Sequence, residues 1–303
     1  MKAPFFSIVI PVFNRGDFII CALESCLKQT FANFEIIVVD DGSTDHTAAS
    51  IGSINDERVK YLFQLNSERG VARNNGVSRA KGQYIFFLDS DDFIKENHLE
   101  RAYNYLYKSD FPELLFTGIT FLNEKGKFLF KTENFKSEIS KSVILKNNVC
   151  ASAFFIRKDI AINNAFSEIR DLSGSEDRLL LTLLSCKYKL NYKGEYTYCL
   201  VVHDQRSMAN ESEYNWKNQL AHFLKIIRAS NELTKNEIEV VQSSFKQMVA
   251  IKLLFSMNYK RGFVWYISSI NSIKSVMNKN ILRVIKFGVL NLFITTLGFE
   301  KLK

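Results

Sequence analysis

The chain lacks any pair of cysteines at close spacing. Its five, Cys21, Cys26, Cys150, Cys186 and Cys199, contain no C-x-x-C, are odd in number and lie mostly in apolar segments. That argues against a disulfide framework and reads as reduced core thiols in a cytosolic protein. No long apolar stretch precedes the first strand-like run, so Met1 to Phe6 is not expected to be a secretory signal. The longest uncharged apolar run, Phe287 to Phe299, is shorter than the ~20 residues of a spanning helix, and the chain is not expected to cross a membrane by itself. Signatures of the common nucleic-acid-binding modules are missing, which removes nucleic acid from the expected partners. Net charge is missing too from residues 1–210, where 26 Lys/Arg meet 26 Asp/Glu.

What is present is a folded profile: 303 residues, 47% apolar and 24% charged, enough for one large or two ordinary domains. Residues 211–303 carry 14 Lys/Arg against 6 Asp/Glu and account for the whole net charge of +8. There Lys252, Lys260, Arg261, Lys274, Lys279, Arg283 and Lys286 alternate with Phe255, Tyr259, Phe263, Trp265, Tyr266, Phe287 and Phe293. Basic residues interleaved with aromatics suit an anionic bilayer surface, and equally a helical region that packs on the body.

Strand-like and helix-like runs alternate with short connections. Ser7–Val12 is a strand ending in the turn Asn14-Arg15-Gly16. Asp17 is placed to cap a helix with apolar positions Phe18, Ile19, Ala22, Leu23, Cys26 and Leu27. Glu35–Val39 is a buried strand running into Asp40-Asp41-Gly42-Ser43, followed by a helix from about Thr44 to Ile54. Val59–Phe63, Gly70–Ala80 and Tyr84–Leu88 read as strand, helix and strand. The alternation predicts an α/β fold with a doubly wound, mostly parallel sheet and ligands at the carboxyl ends of the strands. The run Asp89-Ser90-Asp91-Asp92 then falls on the same edge as Asp40-Asp41. Carboxylates so close repel one another unless a cation sits among them, and oxygen ligands at this spacing suit Mg²⁺ or Mn²⁺. An acidic turn capping a helix near Lys95 would explain one cluster but not two on one rim.

Four segments in order, SIVIPVFNRGDFI (7–19), SCLKQTFANFEIIVVDDGSTD (25–45), GVARNNGVSRAKGQYIFFLDSDD (70–92) and SGSEDRLL (173–180), resemble the family 2 glycosyltransferases. The resemblance covers roughly residues 5–205 and implies the nucleotide-sugar-binding GT-A fold. It implies a catalytic domain over 1–215, with a nucleotide-binding half (1–110) and an acceptor-binding half (111–215). A basic, aromatic-rich helical region over 216–303 follows and is expected to touch a membrane. Carried over residue by residue, Pro11 and Phe13 would flank the base, Asp41 would accept from the uracil ring and Asp40 would support the turn. Arg73 would lie near the nucleotide and diphosphate. Asp89 and Ser90 would also belong to the nucleotide site, Asp91 would be the principal metal ligand, and Asp89 and Asp92 would help. Asp177 would be the catalytic base beside Glu176, although acids in the first turn of a helix capped by Ser175 need no catalytic role. His203, at the end of an apolar run, would complete the metal site, with Arg206 and Ser207 near the diphosphate. Asn147, Asn148, Cys150, Ser152 and Phe154 would line the acceptor region.

The expected partners are therefore a nucleotide-sugar donor, a UDP-sugar first among them, and a saccharide or lipid-linked glycan acceptor, with Mn²⁺ or Mg²⁺ as cofactor. The expected product is one added sugar with inverted configuration, in lipopolysaccharide or capsule assembly at the cytoplasmic face of the cell membrane. Neither the Q-x-x-R-W motif nor the spanning helices of polymer synthases are present. Competing readings are a response-regulator-like module, which leaves Glu176-Asp177 unexplained, and a nucleotidyltransferase, which needs a Gly-rich loop with Arg and Lys where Val12-Phe13-Asn14-Arg15-Gly16 stands. A catalytically inactive GT-A-like glycan- or nucleotide-binding protein is the third.

Overall fold

Phe6–Val12 and Phe34–Asp40 are apolar at nearly every position, the pattern of strands covered on both faces. The computed structural model, which describes residues 3–146, 153–203, 212–255 and 259–269, forms them as β1 and β2 with every residue but Pro11 buried. The order continues through α1 (Ile19–Leu27, between β1 and β2), α2 (Thr47–Gly52), β3 (Val59–Phe63), α3 (Arg69–Arg79), β4 (Tyr84–Phe87), β5 (Phe93–Ile94) and α4 (His98–Lys108). Then come β6 (Leu114–Asn123), β7 (Phe128–Lys131), α5 (Lys141–Lys146), β8 (Phe154–Arg157) and α6 (Lys158–Asn163). A single 3₁₀ turn, α7 (Glu176–Lys187) and β9 (Asn191–Val202) complete this part.

The strands form one sheet in the order β3-β2-β1-β4-β8-β6-β9-β5, with β7 on the free flank of β6. Strands β3, β2, β1 and β4 are parallel, and β6 runs parallel to β9, whereas β8 is antiparallel to both β4 and β6. Alternation along the strands builds two layers. Ile8, Ile10, Ile36, Val38 and Phe86 pack with Ile19, Leu23 and Cys26 of α1 and Leu99 and Leu106 of α4. Val9, Ile37, Val39, Ile85 and Phe87 pack with Ala72 and Val77 of α3, Ile160 of α6 and Leu180, Leu181 and Leu184 of α7. A sheet covered on both faces by helices is the layering expected of an α/β domain.

Local details depart from the sequence pattern. Asp17 does not cap α1, whose N-cap is Phe18 with no side-chain bond; Asp17 instead lies 3.1 Å from His46. The helix after Ser43 is shorter than its pattern, and the segment near Lys95 forms β5 before α4 begins at His98. That strand exists because Phe93 and Ile94 find β9 as a partner more than a hundred residues on, which no local signal announces.

Two compact units emerge from the contacts: Met1–Ile144 with Asn148–Ser212, and Leu145–Asn147 with Glu213–Lys303. In the second, α8 (Glu213–Ala229), α9 (Lys235–Phe255) and α10 (Tyr259–Ser268) pack around Trp216, Phe223, Phe245 and Val249. Trp265 and Tyr266 are buried in this unit, and Trp265 Nε1 donates to Glu213 Oε1 at 3.3 Å. The basic and aromatic positions from Lys274 to Phe293 lie outside the described residues. Among those described, no helix is long and apolar enough to cross a membrane.

Candidate functional site

Strands β1, β2, β3, β4, β6 and β9 all run in one direction, so the loops at their carboxyl ends share one rim. The loop after β1 and the loop after β2 are laced together. Asn14, at φ 50°, donates its N–H to Ser43 Oγ (2.9 Å) and accepts the Thr44 N–H on Oδ1 (2.8 Å). Arg15 N–H donates to Thr47 Oγ1 (3.0 Å) and Gly16 N–H to Asp45 Oδ2 (3.1 Å). Asparagine tolerates the left-handed conformation because its short amide bonds locally. Pro11 is the partly exposed residue of β1, and Phe13 leaves the strand 45% exposed.

Asp40 and Asp41 are both buried and have different tasks. Asp40 accepts the Ser43 N–H (2.8 Å) and the Tyr61 hydroxyl (2.8 Å), which ties the turn to β3. Burial and the Asp40 carboxylate push the Tyr61 phenol up to about 12. Gly42 sits at φ 80°, and a Cβ there would lie 2.8 Å from the Asn66 nitrogen, so only glycine fits this approach. Asp41 accepts from Gln64 Nε2 (2.7 Å) and Ser67 N–H (2.8 Å) on one oxygen, and from Glu68 N–H (2.9 Å) and Asn66 Nδ2 (3.3 Å) on the other. A carboxylate offers roughly four lone-pair sites. Those four donors fill them, so a base could be received only by exchange, most easily with Asn66. Asp41 here organises the loop between β3 and α3.

Asp89, Asp91 and Asp92 each offer an oxygen within 4.8 Å of the others, and Ser90 between them is buried. Asp92 accepts the Tyr198 hydroxyl (2.8 Å) and the Val201 N–H (3.0 Å), which fastens the end of β9 to the acidic loop. That attachment brings His203 to the cluster, with Nε2 3.0 Å from Asp91 Oδ2 and the ring stacked on Phe18 at 4.7 Å. Its Nδ1 is buried without a hydrogen-bond partner among the described residues. Adjacent ligands around an octahedral Mg²⁺ with bonds of ~2.1 Å stand ~3.0 Å apart, so the Asp91–His203 spacing and the oxygen-rich donor set fit a divalent ion.

Arg73, on the buried face of α3, joins this cluster to the second acidic motif. Its Nη2 donates to Asp89 Oδ1 (2.9 Å) and its Nη1 to Glu176 Oε1 (2.7 Å), while its guanidinium lies 5.2 Å from the centre of the Phe166 ring. The two carboxylates hold the guanidinium protonated against the cost of its burial. Glu176 is buried; its other oxygen accepts the Gly174 N–H (2.6 Å), and Arg69 Nε lies 3.8 Å away. Asp177, the next residue, is half-buried and, among the described residues, has no arginine bonded to it in this way. Burial first, and the Glu176 charge second, push its carboxyl up to about 6, opposed by Arg73 and by the Arg178 N–H. A carboxylate poised there is suited to general base work.

The structure thus gathers Asp89, Asp91, Asp92, His203, Arg73, Glu176 and Asp177 in one connected set, with Asp40, Asp41, Pro11 and Phe13 along the same rim. Arg73 engages the two acids, where the sequence had placed it toward a diphosphate. Ser175 forms no side-chain cap on α7. Phe154 is buried between Phe116 and Phe87. Asn147, Asn148, Cys150, Ser152, Arg206 and Ser207 lie outside the described residues. Residues with no local signal also belong to the set: Phe18 under His203, Tyr198 on Asp92, and Asn74, which grips both the N–H and the carbonyl of Phe166 on the way to α7 (2.9 and 3.0 Å).

Residues 7–161 match the family model described as glycosyl transferase family 2. This chain belongs to that family. Among similar proteins, glycosyltransferase GlyG of Streptococcus pneumoniae is 39% identical over 127 residues, covering 41% of this chain and 42% of GlyG. The chain therefore aligns with less than half the length of that relative. The poly(ribitol-phosphate) β-N-acetylglucosaminyltransferase TarP of Staphylococcus aureus is 28% identical over 252 residues, 80% of this chain and 76% of TarP. Among solved structures, S. aureus TarS 1–349 in complex with UDP-GlcNAc superposes with a TM-score of 0.64 at 19% identity, covering 96% of this chain and 87% of that one. At that identity the likeness establishes the GT-A type of fold and nothing about ligands.

Proposed function

We propose that this family 2 protein is an inverting, metal-dependent glycosyltransferase that moves one sugar from a UDP-sugar to a glycan acceptor in cell-surface polysaccharide assembly. The carrying observation is Arg73, which bonds Asp89 of the acidic cluster and Glu176, the residue before Asp177, at once. A base and a metal site in one connected set is what a single displacement at an anomeric carbon requires. TarS structures with UDP and with UDP-GlcNAc support the choice of donor class.

Asp91 and His203, with Asp89 and the remaining oxygen capacity of Asp92, would hold the ion. When bound, a divalent cation supplies Lewis-acid stabilisation of the charge that grows on the departing diphosphate. The chain's own residues do the rest. Asp177 takes the proton of an acceptor hydroxyl as that oxygen bonds to the anomeric carbon from the side opposite the phosphate. The bond from that carbon to the phosphate oxygen breaks, its electron pair leaves with the nucleoside diphosphate, and the configuration inverts. Arg73 holds Glu176 in place by a hydrogen bond, and the Glu176 charge beside Asp177 keeps that carboxylate basic. The basic, aromatic region after residue 216 supports an acceptor held at an anionic membrane on the cytoplasmic side.

Thermal stabilisation by UDP, GDP and dTDP, each with and without Mn²⁺, on the parent and on Asp91→Ala tests this reading. A UDP response that grows with Mn²⁺ and shrinks in the variant is expected. A response to GDP or dTDP instead would change the donor, and no metal-linked response to any nucleotide would overturn the enzymatic reading.

A further inference from the structure

Strand β6 is longer than its neighbours need. It pairs with β8 only over Leu114–Phe116, continues beside β9 as far as Asn123 against Val202, and folds back as β7. Because β6 runs with β1, β2 and β4, this β6–β7 hairpin stands on the same rim as the acidic cluster, one strand from His203. Its composition is unusual for an exposed tip. Phe128, Leu129 and Phe130 are consecutive and 54%, 43% and 52% exposed, and Lys125, Lys127 and Lys131 flank them against Glu124 and Glu133.

Consecutive residues of a strand point to opposite faces, so β7 shows apolar surface to both sides. The register agrees: Phe130 stacks on Phe121 at 4.2 Å on one side, while Lys131, its neighbour, lies 4.7 Å from the centre of the Tyr196 ring on the other. A flat protein partner would cover one face and leave the other wet. Immersion in an interface covers both. Long lysine side chains beside an immersed apolar tip reach back to acidic headgroups, which matches the sign of the flanking charge.

We propose that the β6–β7 hairpin is a membrane-contacting element of the catalytic unit, which dips Phe128, Leu129 and Phe130 into an anionic bilayer surface with Lys125, Lys127 and Lys131 among the headgroups. It is separate from the basic region after residue 216. It sets the transfer rim facing the lipid, so that a lipid-linked acceptor would present its first sugars to Asp177; that last consequence rests on the function proposed above, and the membrane contact does not.

The test uses the full chain, vesicles of phosphatidylcholine with and without phosphatidylglycerol, flotation to measure partition, and hydrogen exchange to localise contact. Amides of residues 124–131 become protected on the anionic vesicles, and Phe128→Ser/Phe130→Ser lowers partition by about tenfold. Tyr107→Ser, a still more exposed aromatic on α4, leaves partition unchanged. The UDP and Mn²⁺ response of the double variant equals that of the parent, which separates this proposal from the function. Equal flotation of parent and double variant, or unchanged exchange of the hairpin on vesicles, overturns it. So does hairpin protection that appears without lipid as protein concentration rises, because the occupant is then a second copy. Loss of the nucleotide response with hairpin protection intact would instead overturn the function alone.

Discussion

At Asp177 two opposing effects set the proton. Burial and the neighbouring Glu176 charge raise its pKa to about 6, while the Arg73 guanidinium pulls the other way and is already bonded to Glu176 and Asp89. The base form is needed for transfer, so log kcat/KM should climb with pH below about 6 and level off above it. Asp177→Asn should cost ~10²–10⁴-fold in kcat and abolish that limb. Stability moves the other way. A carboxyl whose folded pKa lies above its unfolded value contributes stability that is complete below about 3.8 and is lost as pH rises through about 6. The neutral amide should therefore raise the Tm at pH 8 by an amount equivalent to ~1–2 kcal/mol, discounted for partial exposure, with the gain fading toward pH 4. Calorimetry and a pH–rate profile on the two proteins check both signs, and an Asn variant no more stable at pH 8 would mean that Asp177 carries no such strain. The motif residues themselves were legible in the sequence because strand ends and acid runs are local. Their partners were not. Nothing near Asp41 announces that Gln64, Asn66, Ser67 and Glu68 will fill its acceptor sites, and nothing near Phe18 announces an imidazole from position 203.

Helix α3 carries Arg73 to the site, and its placement on the sheet depends on one small residue. A Cβ at Gly76 would lie 2.4 Å from Val9 Cγ1 and 3.2 Å from Cγ2, inside the layer where α3 meets β1. Gly76→Ala should gain helix propensity but lose more to overpacking, a net ~1–3 kcal/mol read as a lower Tm, and should displace Arg73 enough to weaken UDP stabilisation. Val9→Ala removes the offending methyls, so the double variant should recover part of the loss; a strictly additive double-mutant cycle would show that the contact is not the cause. Element by element, the sequence pattern was most readable where burial is two-sided or periodic. The helix expected to follow Ser175 begins at Glu176, and β1 to β4 fall where their apolar runs predicted. It was least readable where a partner distant in sequence decides. The antiparallel β8 between β4 and β6, the two-residue β5, and Asp17 turning to His46 instead of capping α1 all depend on such contacts.

For the whole molecule, charge is divided by position. Residues 1–210 balance, residues 211–303 hold the full +8, and 270–303 alone carry six basic residues against one acidic. The second unit as described buries Trp265 and Tyr266, so not every aromatic of that region is available to a surface. Two modes of membrane contact then differ in their response to salt. Attraction between a basic segment and acidic lipids acts over roughly a Debye length and is screened as salt rises, whereas immersion of apolar side chains is not. The partition of the full chain into anionic vesicles should fall steeply as salt rises from ~0.05 to ~0.5 M, toward a residual level set by apolar contact. Deleting 270–303 should flatten that slope and leave the residual level, while Phe128→Ser/Phe130→Ser should lower the residual level and leave the slope. A deletion that leaves the slope untouched would assign the electrostatic contact to the catalytic unit, and the neutral balance of residues 1–210 would then have to hide a basic face.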